Sequence, residues 1–157
     1  MPTLRSSGLG SKDFIMKDLY LDYLQAMQNA PSPAAILNLD FFEENIDWAL
    51  KSSGTKNIRL ATKSLRSIEI IKKILQTSPR FQGLMCFTLR EALWLRQLGM
   101  KDLLMGYPTM DVAALEELAQ DPKDIVLMVD LPEHLDFLNN IAKLRNTVFE
   151  ICLDLDL

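Results

Sequence analysis

Histidine is nearly missing from this chain, and cysteine is scarce: 157 residues carry one His and two Cys. No CxxC occurs, so a Cys/His metal site has too few ligands and is not supported. Cys86 and Cys152 both fall in apolar runs and read as small buried hydrophobes kept reduced. Basic residues are outnumbered, 17 Lys and Arg against 21 Asp and Glu, giving a net charge of −4 and a pI near 5.0. No basic stripe exists to track a phosphate backbone, so nucleic acid is not an expected partner. No run reaches the ~20 apolar residues of a membrane-spanning helix. The first apolar stretch, Phe14–Met27, is interrupted by Lys17, Asp18 and Asp22, and reads neither as a signal peptide nor as an anchor. The cytoplasm is the expected location. Phosphate-cradling glycine motifs are missing too. Gly8-Leu9-Gly10 follows no strand and lacks a third glycine; no P-loop pattern and no GxSxG occurs.

What is present is ordinary globular composition, 48% hydrophobic and 24% charged. Residues 1–13, with Ser6, Ser7, Gly8, Gly10 and Ser11, carry no apolar period and are expected to be mobile. A helix is predicted over Phe14–Gln28, ended by Pro31 and Pro33, so residues 1–32 form an N-terminal segment. Ala34–Asn38 reads as a short strand. Asp40 reads as the N-cap of a helix running to about Lys51, with Glu43 placed for a capping box. From there strands and helices alternate: strand Ile58–Thr62 and helix Ser64–Leu75, strand Gly83–Phe87 and helix Thr88–Leu98. Strand Leu103–Gly106 and helix Met110–Ala119 follow, then strand Ile125–Val129 and helix Pro132–Leu144, then a strand from Val148 to about Leu155. This order predicts an α/β fold with a parallel sheet and right-handed crossovers. The strands are continuous apolar runs, which predicts cover on both faces. A closed (β/α)8 barrel needs eight units and ~250 residues. In a barrel, therefore, the roughly five units of 33–157 would be the N-terminal portion. A self-contained flavodoxin-like module is the alternative.

Residues that follow parallel strands surround the site in such folds. Lys63 is foremost: it closes the run Ile58-Arg59-Leu60-Ala61-Thr62, and lysine is the side chain that forms Schiff bases with carbonyl compounds. An ordinary solvated lysine at a strand end is the alternative. Arg59, four residues earlier, falls on the same face by strand alternation. A guanidinium beside an amine favours its neutral, nucleophilic form, but Arg59 could equally bind a carboxylate or nearby backbone. Thr88, with Glu91 three residues on, is explained by a capping box. Tyr107-Pro108 is a turn whose phenol either joins the site or covers the core edge. Asp130 before Leu131-Pro132 reads as a helix-opening residue. Asp154 and Asp156 either line the site or mark a polar strand side. His134 reads as a surface or packing histidine and not as a ligand.

The combined pattern resembles the alanine racemase N-terminal-domain family of fold type III pyridoxal-phosphate enzymes, nearest its D-threonine aldolase, D-serine dehydratase and amino acid deaminase branch. The resemblance rests on Pro33-Ala34-Ala35-Ile36-Leu37-Asn38-Leu39-Asp40 with Asn45, and on Ile58-Arg59-Leu60-Ala61-Thr62-Lys63-Ser64. It continues through Phe87-Thr88-Leu89-Arg90-Glu91-Ala92, the run Gly99 to Pro108, and Val129-Asp130 with Glu133. It implies a partial (β/α)8 TIM-type barrel and pyridoxal 5'-phosphate on Lys63 as a Schiff base, with Arg59 and Tyr107 among the cofactor-binding residues. It implies a lyase, deaminase or aldolase acting on D- or 3-hydroxy amino acids, with the rest of the barrel and a C-terminal β domain beyond Leu157. The 157 residues alone are then expected to be inactive, and to aggregate or form a homodimer through open strand edges. A non-catalytic pyridoxal-phosphate carrier is the alternative within the same fold. Many aldolase and dehydratase relatives carry a histidine two residues before the lysine, where this chain has Ala61.

Overall fold

In a computed structural model, which describes residues 12–155, the chain divides into two units, Met1–Asn45 and Ile46–Leu157. The expectation of a mobile segment over 1–13 falls outside the described residues as far as position 11; Lys12 and Asp13 already belong to the first helix.

The first unit holds helix α1, Lys12–Ala26, and the start of helix α2, Leu39–Ser52. The strand expected over Ala34–Asn38 does not form, and the segment is irregular, with Ile36 and Leu37 exposed. No strand pairs with it, so its apolar pattern gains no ladder. Its last residue is used instead as a helix cap. Asn38 Oδ1 accepts from Phe41 N at 3.0 Å, and Asn38 Nδ2 donates to Tyr23 Oη at 2.8 Å. The cap of α2 is therefore Asn38 and not Asp40; Asp40 sits in the first turn, where its charge suits the helix dipole.

The second unit carries one five-stranded parallel sheet in the order β1-β2-β3-β4-β5. Its strands are β1 Ile58–Ala61, β2 Phe81–Cys86, β3 Leu103–Met105, β4 Ile125–Val129 and β5 Glu150–Leu153. Helices α3 Thr62–Leu65, α4 Ile68–Thr77, α5 Leu89–Gln97, α6 Val112–Leu118 and α7 Pro132–Arg145 join them. Strands paired in sequence order build the wall of a (β/α)8 barrel, whereas a flavodoxin-like sheet runs 2-1-3-4-5. The self-contained flavodoxin-like reading is thereby excluded.

The two sheet faces differ. The row Leu60, Leu84, Leu103 and Ile125 is buried and forms the core with Ile71, Leu89, Leu95, Leu115 and Leu118 from the helices. The opposite row, Ala61, Met85, Leu104 and Val126, stays partly exposed. Cover on both faces, expected from the apolar runs, is thus found on one only. β1 and β5 are the sheet edges, and Leu153 on β5 is exposed.

Two local features shape the end of β1. The helix predicted as one piece over Ser64–Leu75 is broken at Arg66, which adopts φ 39° and closes α3. Ser67 then caps α4 by accepting from Ile70 N. A serine able to bond the backbone locally competes with helix continuation, which periodicity alone does not register. Lys63 accordingly lies inside the one-turn helix α3, two residues past the end of β1, and does not end the strand itself.

Candidate active site

The C-terminal ends of β1, β2 and β3 bring Lys63, Phe87 and Tyr107 together. Lys63 Nζ donates to Tyr107 Oη at 2.8 Å. The same nitrogen stands 6.0 Å from the centre of the Phe87 ring, within cation–π range, and 5.3 Å from the centre of the Tyr107 ring, beyond its hydroxyl end and not over its face. The two rings meet edge to face, 5.6 Å between centres at 80°. Ala61, Met85, Cys86 and Gly106 complete a cleft of about 30 Å³. A larger hollow of about 350 Å³ runs along α7 and β5, but it is lined largely by Leu135, Leu138, Ala142, Val148, Phe149 and Ile151.

Each part has a local cause. Thr62, buried at the start of α3, donates from Oγ1 to Met85 O at 3.2 Å and ties the turn bearing Lys63 to β2. Phe87 is fixed through its backbone, since its N–H donates to Glu91 Oε2 at 2.8 Å. Thr88 Oγ1 accepts from Glu91 N at 3.2 Å, so the cap expected at the start of α5 is formed. Gly106 lets β3 approach β2 closely: its N–H donates to Cys86 O at 2.9 Å, and a Cβ there would stand 3.3 Å from that oxygen. Cys86 lies beneath the cleft. Burial, reinforced by the Glu91 carboxylate and opposed by Arg59, pushes its thiol up to about 12.

Arg59 reaches a different set of groups. Its Nη1 donates to Asp102 O at 2.7 Å and to Leu84 O at 3.4 Å, and its Nη2 pairs with Asp102 Oδ1 at 2.8 Å. Of the roles open to it, carboxylate and backbone binding are the ones observed. Asp130 does not cap α7, whose N-cap is Leu131; its Oδ1 stands 2.7 Å from His134 Nδ1, out of line for a hydrogen bond. Asp154 is exposed past β5, its N–H bound to Val129 O at 2.9 Å; Asp156 lies outside the described residues.

Sequence reasoning passed over Phe87, Gly83 and Asp102. Phe87 was open to the strand-end rule that picked out Lys63. Asp102 carried no local signal, because its partner is 43 residues away.

The model of the alanine racemase N-terminal domain matches residues 37–157. The structure is similar to that of D-threonine aldolase from Filomicrobium marinum, with a TM-score of 0.67 and 23% identity over 80% of this chain and 35% of that one. It is also similar to a histidine-to-alanine variant of D-threo-3-hydroxyaspartate dehydratase, with a TM-score of 0.72 and 18% identity over 88% of this chain and 37% of that one. The chain thus spans little more than a third of the length of either structure. No curated protein matches it by sequence. Among the described residues, no helix is long and apolar enough to cross a membrane.

Proposed function

Since the chain belongs to the alanine racemase N-terminal-domain family, we propose that Lys63 is the attachment point for pyridoxal 5'-phosphate in an enzyme acting on D-configured 3-hydroxy amino acids. The observation that carries this reading is the Lys63 Nζ–Tyr107 Oη contact of 2.8 Å at the C-terminal mouth of the sheet. A primary amine is the donor that an aldehyde cofactor requires, and this one stands exposed at the lip of the cleft, beside the open sheet face. When bound, the cofactor supplies an electron-accepting ring that stabilises negative charge at the substrate Cα.

The chain's own residues have separable tasks. Lys63 Nζ holds the cofactor and, once free, is the group that takes or returns a proton at Cα. Tyr107 Oη orients that nitrogen. Phe87 and Met85 supply apolar wall on one side of the cleft. Arg59 is held by the Asp102 carboxylate and carbonyl and by the Leu84 carbonyl. The open row Ala61, Met85, Leu104 and Val126 supports the reading that these strands form one side of a larger site. The names of the two structural neighbours support lysis or dehydration of a 3-hydroxy amino acid as the reaction class.

The test is an absorbance titration with pyridoxal phosphate. A visible band that saturates, survives Lys72→Ala and disappears in Lys63→Ala is expected. A band equally strong in Lys63→Ala overturns the assignment.

A further inference from the structure

We propose that Arg59, Gly83 and Asp102 form a cross-strand tie that sets the spacing of Lys63 and Tyr107; this rests on the reading of that pair as the working site. Arg59 lies on β1, four residues before Lys63, and Asp102 immediately precedes β3, five residues before Tyr107. The two strands do not pair, because β2 runs between them. The bond between Arg59 and Asp102 therefore spans two strand spacings, roughly 10 Å, and joins the two strands that carry the site.

β2 is built to let the guanidinium cross. Pairing runs Ile58↔Phe81 and then Leu60↔Leu84, so β2 holds one extra residue opposite Arg59. That bulge contains Gly83, at φ +66°, and a Cβ there would overlap Arg59 Nη1 and both Asp102 O and Oδ2. Asp102 is itself held in the left-handed region at φ 54°. Its carbonyl accepts from Leu84 N at 3.0 Å as well as from Arg59 at 2.7 Å. Three strands thus meet at one oxygen and one guanidinium.

The consequence for the site is geometric. A one-residue slip of β1 against β3 is about 3.3 Å, more than the whole 2.8 Å Lys63–Tyr107 hydrogen bond. Arg59 is a positioning residue, acting on the amine through strand register.

Trace acetylation of the 157-residue chain, read by peptide mass spectrometry with Lys72 as internal reference, tests this without any cofactor. Tyr107→Phe is expected to raise Lys63 labelling about 2- to 10-fold, the worth of one hydrogen bond. In an Arg59→Met background, Lys63 should already label faster, and Tyr107→Phe should add less than about 2-fold, because the pair is already apart. Asp102→Asn gives the same comparison if Arg59→Met fails to fold. An equal Tyr107→Phe effect in both backgrounds refutes the tie. A chain that shows the coupling yet never takes pyridoxal phosphate on Lys63 upholds the tie and refutes the proposed function.

Discussion

Gly83→Ala should cost far more than its one methyl group suggests. At φ +66° an L-residue is strained by about 1–2 kcal/mol. The added Cβ also occupies the space of Arg59 Nη1 and Asp102 O. The guanidinium can swing away, but the carbonyl is backbone and cannot. Withdrawal of Arg59 forfeits its charge-assisted bonds, which are discounted to about 1 kcal/mol because the Arg59 and Asp102 side chains are 33% and 51% exposed. The expected loss is about 2–4 kcal/mol. Gly54→Ala is the matched control: its φ is +58° with nothing within 4 Å of the added Cβ, so it should lose only the ~1–2 kcal/mol of backbone strain. Urea unfolding followed by circular dichroism gives both values, provided the slopes match. Equal losses at the two glycines would show that Gly83 seats nothing, and the cross-strand tie would lose its structural basis.

Leu103→Ala, at a fully buried site between Leu84 and Ile125, should cost about 2–5 kcal/mol in the same assay. Cys86 should resist a thiol reagent at pH 8 while the less buried Cys152 reacts. The folded thiol is raised to about 12 from 9.0, so its contribution to stability is complete below 9.0 and lost as pH rises towards 12; Cys86→Ala should flatten that alkaline limb. Asp111 shows the opposite sign. The Ala114 N–H and then Arg90 hold its carboxyl below the usual range, so its contribution is present above that range and fades as pH falls through the lowered value. Asp111→Asn should therefore weaken the acid dependence of unfolding.

The alternation of strands and helices was legible because each strand is a short apolar run and each helix opens on a polar cap. Ile125–Val129 appears where its pattern predicted, and Thr88 caps α5 through Glu91 as expected. Errors arose where a polar side chain served its own neighbourhood. Asn38 capped a helix and ended an apolar segment that resembled a strand, and Ser67 opened α4 where periodicity ran on. Lys63 was visible by type and place, but its partner Tyr107 is 44 residues distant and only folding brings them together. The role of Arg59 was the least legible. Alternation gave its face, yet its partner depended on a bulge that removes a side chain from its path. Register shifts of this kind leave no trace in hydrophobic patterning.

The most direct test of the central claim is to incubate the chain with pyridoxal phosphate, reduce it with borohydride, and map the pyridoxyl group by peptide mass spectrometry. Attachment concentrated on the Lys63 peptide, and reduced by Tyr107→Phe, is the predicted result. Label spread over exposed lysines such as Lys72 and Lys101, with Lys63 no richer than they are, would contradict it.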